Sequence, residues 1–232
     1  MQLIVATRNA HKTHEIQRIL GPKFEVRGLS GNDEVPEIHE SGKSFEENAR
    51  LKAIAVSRQL PGLIVADDSG LEVDVLGAAP GIHSARYARG SARDEEKIAK
   101  LLRQLAKVDA KGDQRHARFR CVLALARDGK VLATFDGVTE GKIAEQPRGS
   151  HGFGYDPIFI PNGFEETFAE LPAEVKNNIS HRAKAISKLQ AGLPTLCGRV
   201  PRALGPVEVE EERPVAEHPE RLAADHPELP PL

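Results

Sequence analysis

Residues 116–143, "HARFRCVLALARDGKVLATFDGVTEGKI", read as two long strands joined at Asp128-Gly129, a dipeptide that favours a tight hairpin turn. This hairpin constrains the fold more than any other segment. The chain around it alternates strands with helices, a pattern that argues for an α/β protein. A purely parallel sheet cannot contain such a hairpin, so the expected architecture is α/β with a mixed central sheet.

Upstream, "QLIVAT" reads as a buried strand and "HKTHEIQRIL" as a helix, with the strand-to-helix junction at Arg8-Asn9-Ala10. "FEVRGL" is a second strand candidate, and residues 30–43 form a polar, turn-rich loop. Ser44 and Glu47 make a capping-box pattern for a helix that Pro61-Gly62 ends. "GLIVADD" returns as a strand before "LEVDVL", and "ADDSG" at its carboxyl end reads equally as acids facing a ligand crevice or as ordinary turn chemistry relieved by Gly70. "DEEKIAKLLRQL" predicts an amphipathic helix with an acidic start, "PIFIP" a strand, and the segment from about Ser180 a further helix. No internal repeat is visible. Residues 1–196 are expected to form the folded domain. Residues 197–232 are dense in Pro and Glu and lack aromatics, so they cannot offset their ordering entropy and are expected to be a disordered tail.

A chain of 232 residues can bury a sizeable core. Its formal net charge of -2 argues against coating polymeric nucleic acid, so any nucleotide-like ligand must be gripped locally. The N-terminus lacks a secretory pattern, no apolar run reaches the length of a membrane span, and two cysteines make neither a disulfide framework nor a zinc cluster. The expectation is a cytoplasmic protein.

Four stretches can carry chemistry. In "TRNAHKT", Thr7, Arg8, Asn9, Ala10, His11 and Lys12 lie where a strand hands over to a helix, a place suited to phosphate. The glycines of a P-loop are missing, and from these residues alone a helix cap at Asn9 with a solvated Lys12 is the simpler reading. Asp67 and Asp68 point to opposite sides of a strand, so one can face a ligand, holding Mg²⁺ or taking a proton from water, while the other supports. Glu37 or Glu40 can complete an oxygen-rich Mg²⁺ site, although acids in a loop are more often simply solvated. His11 and His14 share a helix face, but with no third ligand in a clear pattern they read as surface histidines. In "GSHGFGYDPIF", Phe153 or Tyr155 offers a stacking face and Asp156 an acceptor, with an ordinary aromatic turn as the competing reading. Lys176, His181 and Arg182 place positive charge at or near a helix start, against the dipole, which suggests an anionic or carbonyl-bearing partner.

In register, "VATRNAHKTHEI", "ESGKSFEENARLKA", "ADDSGLEVDVLGAAPGIHSARYA", "GFGYDPIFIP" and "FAELPAEVKNNISHRAKAISKL" closely resemble the noncanonical purine nucleoside triphosphate pyrophosphatases, the inosine/xanthosine triphosphatase family. The resemblance covers nearly all of residues 1–195. It implies an elongated two-lobed α/β fold, a homodimer, and a nucleotide cleft between the lobes. The implied reaction is Mg²⁺-dependent hydrolysis of ITP, dITP and XTP to the monophosphate and pyrophosphate.

By the same resemblance, Thr7 to Lys12 match the phosphate-binding turn, and Lys52 reaches the same phosphates. Asp68 matches the catalytic acid and metal ligand, Ser69 a substrate contact, and Glu40 the second metal-associated acid, with Glu37 as its alternate. Phe153, Gly154, Tyr155 and Asp156, with Lys176, His181 and Arg182, match the base pocket. The family most often has Gly where this chain has Arg8, and the tail lies outside the resemblance. Two rival readings are a Maf-like pyrophosphatase of pyrimidine or modified nucleotides and a non-catalytic nucleotide-sensing module.

Overall fold

The computed structural model describes residues 1–31, 35–36, 38–88 and 93–198. Glu37 and the expected tail beyond residue 198 lie outside these residues. The described elements begin with β1 (Gln2–Val5), α1 (Ala10–Leu20), β2 (Glu25–Arg27), α2 (Phe45–Ser57), β3 (Ile64–Val73) and β4 (Ala79–Pro80). They continue with α3 (Asp94–Lys107), β5 (His116–Arg127), β6 (Lys130–Ile143), β7 (Phe159–Pro161), α4 (Ala173–Ile179) and α5 (His181–Gly198). None of the described helices is long and apolar enough to cross a membrane.

The strands form one mixed seven-stranded sheet in the order β2-β1-β3-β5-β6-β7, with β4 alongside β3. β1 is parallel to β2 and β3, whereas β5 runs antiparallel to β3 and β6. The hairpin turns where expected, and Asp128 and Gly129 both carry positive φ, 51° and 74°, as a two-residue turn between twisted strands demands.

Period-2 alternation divides the core between the two faces of the sheet. On one face Leu3, Val5, Val65, Leu123 and Leu125 pack with Ile16 of α1 and Ile186 and Leu189 of α5. On the other, Ile64, Ala66, Val122, Ala124 and Ala126 pack against Ala49, Ala53 and Val56 of α2. A third cluster gathers Leu71 and Val73 from the far end of β3 with Leu101 and Leu105 of α3, Phe119, Tyr155, Phe159 and Phe168. The polar residues Asp67 to Gly70 lie along β3 between the apolar stretches that anchor these clusters.

Here the structure departs from the sequence reading. "ADDSG" is not a turn at a strand end: β3 runs unbroken from Ile64 to Val73, paired residue by residue with β5. The polar run reads as a break in hydrophobic alternation, but its backbone is held by ten consecutive cross-strand partners, from Ala126 to Ala117. Gly70 accordingly serves close approach rather than a bend. A Cβ there would lie 2.5 Å from the Gly81 carbonyl oxygen and 2.5 Å from Ser84 Oγ. Gly70→Ala is therefore expected to cost about 1–3 kcal/mol in chemical denaturation, as overpacked cores do, and unchanged stability would show that the Gly81–Ser84 turn yields freely.

Candidate active site

β1 pairs with β3 only through Ile4↔Ile64 and Val5↔Val65, so from Ala66 onward β3 has lost its parallel neighbour. A crevice opens outside the carboxyl end of β1, where open α/β sheets commonly bind ligands. Two backbone groups of β3 exposed there find side-chain partners instead. Lys52 Nζ donates to the Asp67 carbonyl at 2.8 Å, and the Leu71 N–H donates to Ser84 Oγ at 2.9 Å.

The two acids part as the strand period requires. Asp68 turns toward α2, where Lys52 Nζ donates to its Oδ1 at 2.9 Å and to Glu40 Oε1 at 2.7 Å. Arg86, from the turn after β4, donates to the other Glu40 oxygen at 3.0 Å. Asp68 Oδ2 is buried and has no hydrogen-bond partner among the described residues. Burial pushes the Asp68 carboxyl above the usual range even though Lys52 opposes it. Burial also works against ionised Glu40, but Lys52 and Arg86 prevail and hold its carboxyl below that range. Ser44 Oγ caps α2 by accepting the Glu47 N–H, and Asn48 Oδ1 accepts the Gly42 N–H at 2.8 Å, tying down the segment that carries Glu40.

Asp67 turns the other way and is almost fully buried. It accepts from Lys12 Nζ at 2.5 Å, Arg182 Nε at 2.9 Å and Ser69 Oγ at 2.8 Å. Burial raises its carboxyl, but the Arg182 guanidinium and the Lys12 ammonium outweigh that and hold it well below the usual range. Arg182 Nη2 donates to Ser69 Oγ at 3.0 Å, and its Nη1 donates to Glu15. Glu15 also accepts from Lys176 Nζ at 2.7 Å, which reaches Asp156 at 2.6 Å. The charge on Lys176 and Arg182 that the sequence left unbalanced is thus met by the buried Asp67 and Asp156 and the partly buried Glu15. Glu15 was missed in the sequence, although it lies three residues after Lys12 and four after His11, on the same face of α1.

At the N-terminus of α1, Asn9 is the cap: its Oδ1 accepts the N–H groups of His11 at 2.9 Å and Lys12 at 3.4 Å. Thr7 Oγ1 accepts the Asn9 N–H at 3.1 Å, Ala10 is the first helical residue, and the Arg8 guanidinium donates to the Val35 carbonyl. Of the two rings in "FGYD", Tyr155 is buried and its hydroxyl donates to the Ser84 carbonyl at 3.0 Å. Phe153 is the half-buried one, with Lys176 Nζ 5.2 Å and Arg182 Cζ 5.6 Å from its centroid. Asp156 is spent on its own loop, accepting the Phe153 N–H at 2.9 Å besides Lys176. The Gly154 N–H donates to Asp94 at the start of α3, at 2.6 Å. His181 is buried against Phe119, which with the neighbouring cations holds its imidazole well below its usual range, and its Nδ1 has no partner among the described residues. Asn9, His11, Lys12, Ser69, Phe153 to Asp156, Lys176, His181 and Arg182 line one cleft, which Lys97 of α3 also borders. Asp68, Lys52 and Glu40 do not line this cleft, and neither do Thr7, Arg8 and Ala10.

Such a crevice suits an anion near the lysines of α1 and α2 and a flat ring near Phe153, and together with the mixed sheet it marks a nucleotide-handling α/β protein. A profile of the Ham1 family matches residues 3–192, and the chain belongs to that family. It is 45% identical over 191 residues to a dITP/XTP pyrophosphatase of Bacillus licheniformis, covering 82% of this chain and 96% of that protein. It is 47% identical over 189 residues to the dITP/XTP pyrophosphatase of Bacillus subtilis, covering 81% and 94%. The solved structure of a HAM1 protein from Coxiella burnetii superposes with a TM-score of 0.74 at 39% identity, covering 84% of this chain and 99% of that one.

Proposed function

We propose that this chain hydrolyses dITP, ITP and XTP to the nucleoside monophosphate and pyrophosphate, clearing deaminated purines from the nucleotide pool, and that it does so as a cytoplasmic homodimer. The observation that carries the reading is Asp68, a buried carboxylate with one oxygen paired to Lys52 and the other without a partner among the described residues. A carboxylate whose proton affinity is raised by burial is suited to accept a proton from an attacking water.

In this reading water attacks the α-phosphorus in line, and Asp68 orients it and takes its proton. Lys12 and Lys52 hold the phosphate oxygens and exchange part of their present pairing with Asp67, Asp68 and Glu40 for the substrate's negative charge. The residues present fit Mg²⁺. The unpartnered Asp68 oxygen and the nearby Glu40 are hard oxygen donors, and among the described residues no cluster of three or more His, Cys, Asp or Glu forms a complete protein cage. Two carboxylates with substrate phosphates completing the shell is the usual arrangement for this ion. When bound, Mg²⁺ would neutralise charge on the departing pyrophosphate.

Base choice follows from donors aimed at the purine 6-position. Three of the five N–H groups of Arg182 are bound to Asp67, Glu15 and Ser69, which leaves donors for a 6-carbonyl and none that accepts the amino group of adenine. The neutral His181, with its unpartnered Nδ1, adds a polar contact. Arg182→Lys keeps the charge but not the planar fork, so the ITP-to-ATP ratio of kcat/KM is expected to fall by about tenfold or more. An unchanged ratio would remove this side chain from base choice.

Pyrophosphate release from ITP, dITP, XTP, dTTP and UTP, with and without Mg²⁺, tests the reading. Turnover confined to the purine substrates and dependent on Mg²⁺ supports it, whereas preference for dTTP or UTP would favour the Maf-like alternative.

A further inference from the structure

The imidazole of His11 stacks on Phe153, with ring centroids 5.5 Å apart and planes inclined by 21°. The two rings come from different elements, His11 from the first turn of α1 and Phe153 from the loop before β7. Their contact forms part of the wall between two adjoining cavities. One, of 160 Å³, holds Lys12, Ser69, His181 and Arg182. The other, of 170 Å³, holds His14, Arg18, His151 and Asn177. His11, Phe153 and Lys176 line both.

Either cavity alone falls short of the roughly 300 Å³ at which ligand pockets begin, and joined they reach it. At 5.5 Å the rings are already within stacking range, so no third ring fits between them. His11 is exposed, and among the described residues no hydrogen bond ties down its imidazole. Its backbone N–H, by contrast, is fixed by Asn9. The side chain is therefore the movable half of the contact, while Phe153 is anchored through its N–H to Asp156.

Resting on the function proposed above, we infer that His11 is a displaceable stand-in for the substrate's base. The imidazole occupies the face of Phe153 on which the purine stacks, and a base enters by replacing it and joining the two cavities. His11 thereby sets the affinity for ligands that carry a base. It does not act as a phosphate contact, despite its place in the turn that leads into α1.

Three ligands and two variants test this. His11→Ala is expected to tighten the KM for dITP and the Kd for inosine 5′-monophosphate, the latter by calorimetry, by about two- to tenfold, the range of a single aromatic pair. His11→Trp, which stacks over more area, should weaken both. Inhibition by inorganic tripolyphosphate, which has no base, should be the same in the wild type and both variants. Equal loosening of dITP and tripolyphosphate in His11→Ala would make His11 a phosphate contact and overturn the inference. Unchanged or weaker binding of dITP and the monophosphate alone in that variant would overturn it too. If the wild type releases no pyrophosphate from any purine triphosphate, the proposed activity fails, and monophosphate binding still decides the role of His11.

Discussion

Asp68→Asn is expected to lower kcat by at least about 10²–10⁴-fold, the usual contribution of a positioned general base. The fold should survive, because the amide oxygen can still accept from Lys52, which also retains Glu40 and the Asp67 carbonyl. The sign of the stability effect follows from the raised carboxyl. A folded-state pKa above the unfolded value means that ionised Asp68 costs stability once the pH exceeds the unfolded value, and that this cost vanishes in acid. The variant should therefore melt at or above the wild-type temperature at neutral pH, with the difference closing as pH falls below the ordinary Asp range. A folded Asp68→Asn protein with full turnover would take Asp68 out of the mechanism.

Its neighbour should behave in the opposite way. Asp67→Asn removes the counter-charge of Arg182, which is 2% exposed, and of Lys12, leaving a buried guanidinium with Glu15 as its remaining acid. Breaking a buried pair on one side typically costs about 3–5 kcal/mol, a large share of the 5–15 kcal/mol that holds a domain together. Because the Asp67 carboxyl is held well below its unfolded pKa, its contribution is complete above the unfolded value of about 3.9. It is lost only as pH falls through the lower folded value. Urea denaturation at pH 7 should show the full deficit, and titration into acid should bring wild type and variant together. Wild-type stability at pH 7 would mean that Glu15 and Ser69 satisfy Arg182 without Asp67.

On the proposed mechanism, the pair separates catalysis from architecture across one peptide bond. Part of that separation was legible in the sequence: adjacent strand residues face opposite sides, so one acid was expected to act and the other to support. Their setting was legible only in part: they were placed at the end of a strand, with a turn as an equal reading, because four small or polar residues in a row resemble one, whereas β3 runs on to Val73. What keeps Asp67 to Gly70 extended is β5, whose partners lie fifty or more residues away. Likewise, Asn9 could be read as a cap from its type and position, since capping is local. The partners of Lys176 and Arg182 could not, because Glu15 is 161 and 167 residues distant in the chain.

The sequence by itself determined the alternation of strands and helices, the hairpin at Asp128-Gly129, the mixed sheet, the caps on α1 and α2, and the set of residues able to do chemistry. All of these depend on interactions within a turn, a hairpin or one period of hydrophobicity. Only the tertiary structure decided that β1 stops at Val5 while β3 runs on past Val65, and that Asp68 keeps one oxygen without a partner among the described residues while Asp67 gives both to cations. It also decided that His11 lies on Phe153. Each depends on which distant side chain fills the space left where two strands part, and that is settled by packing, not by any pattern along the chain.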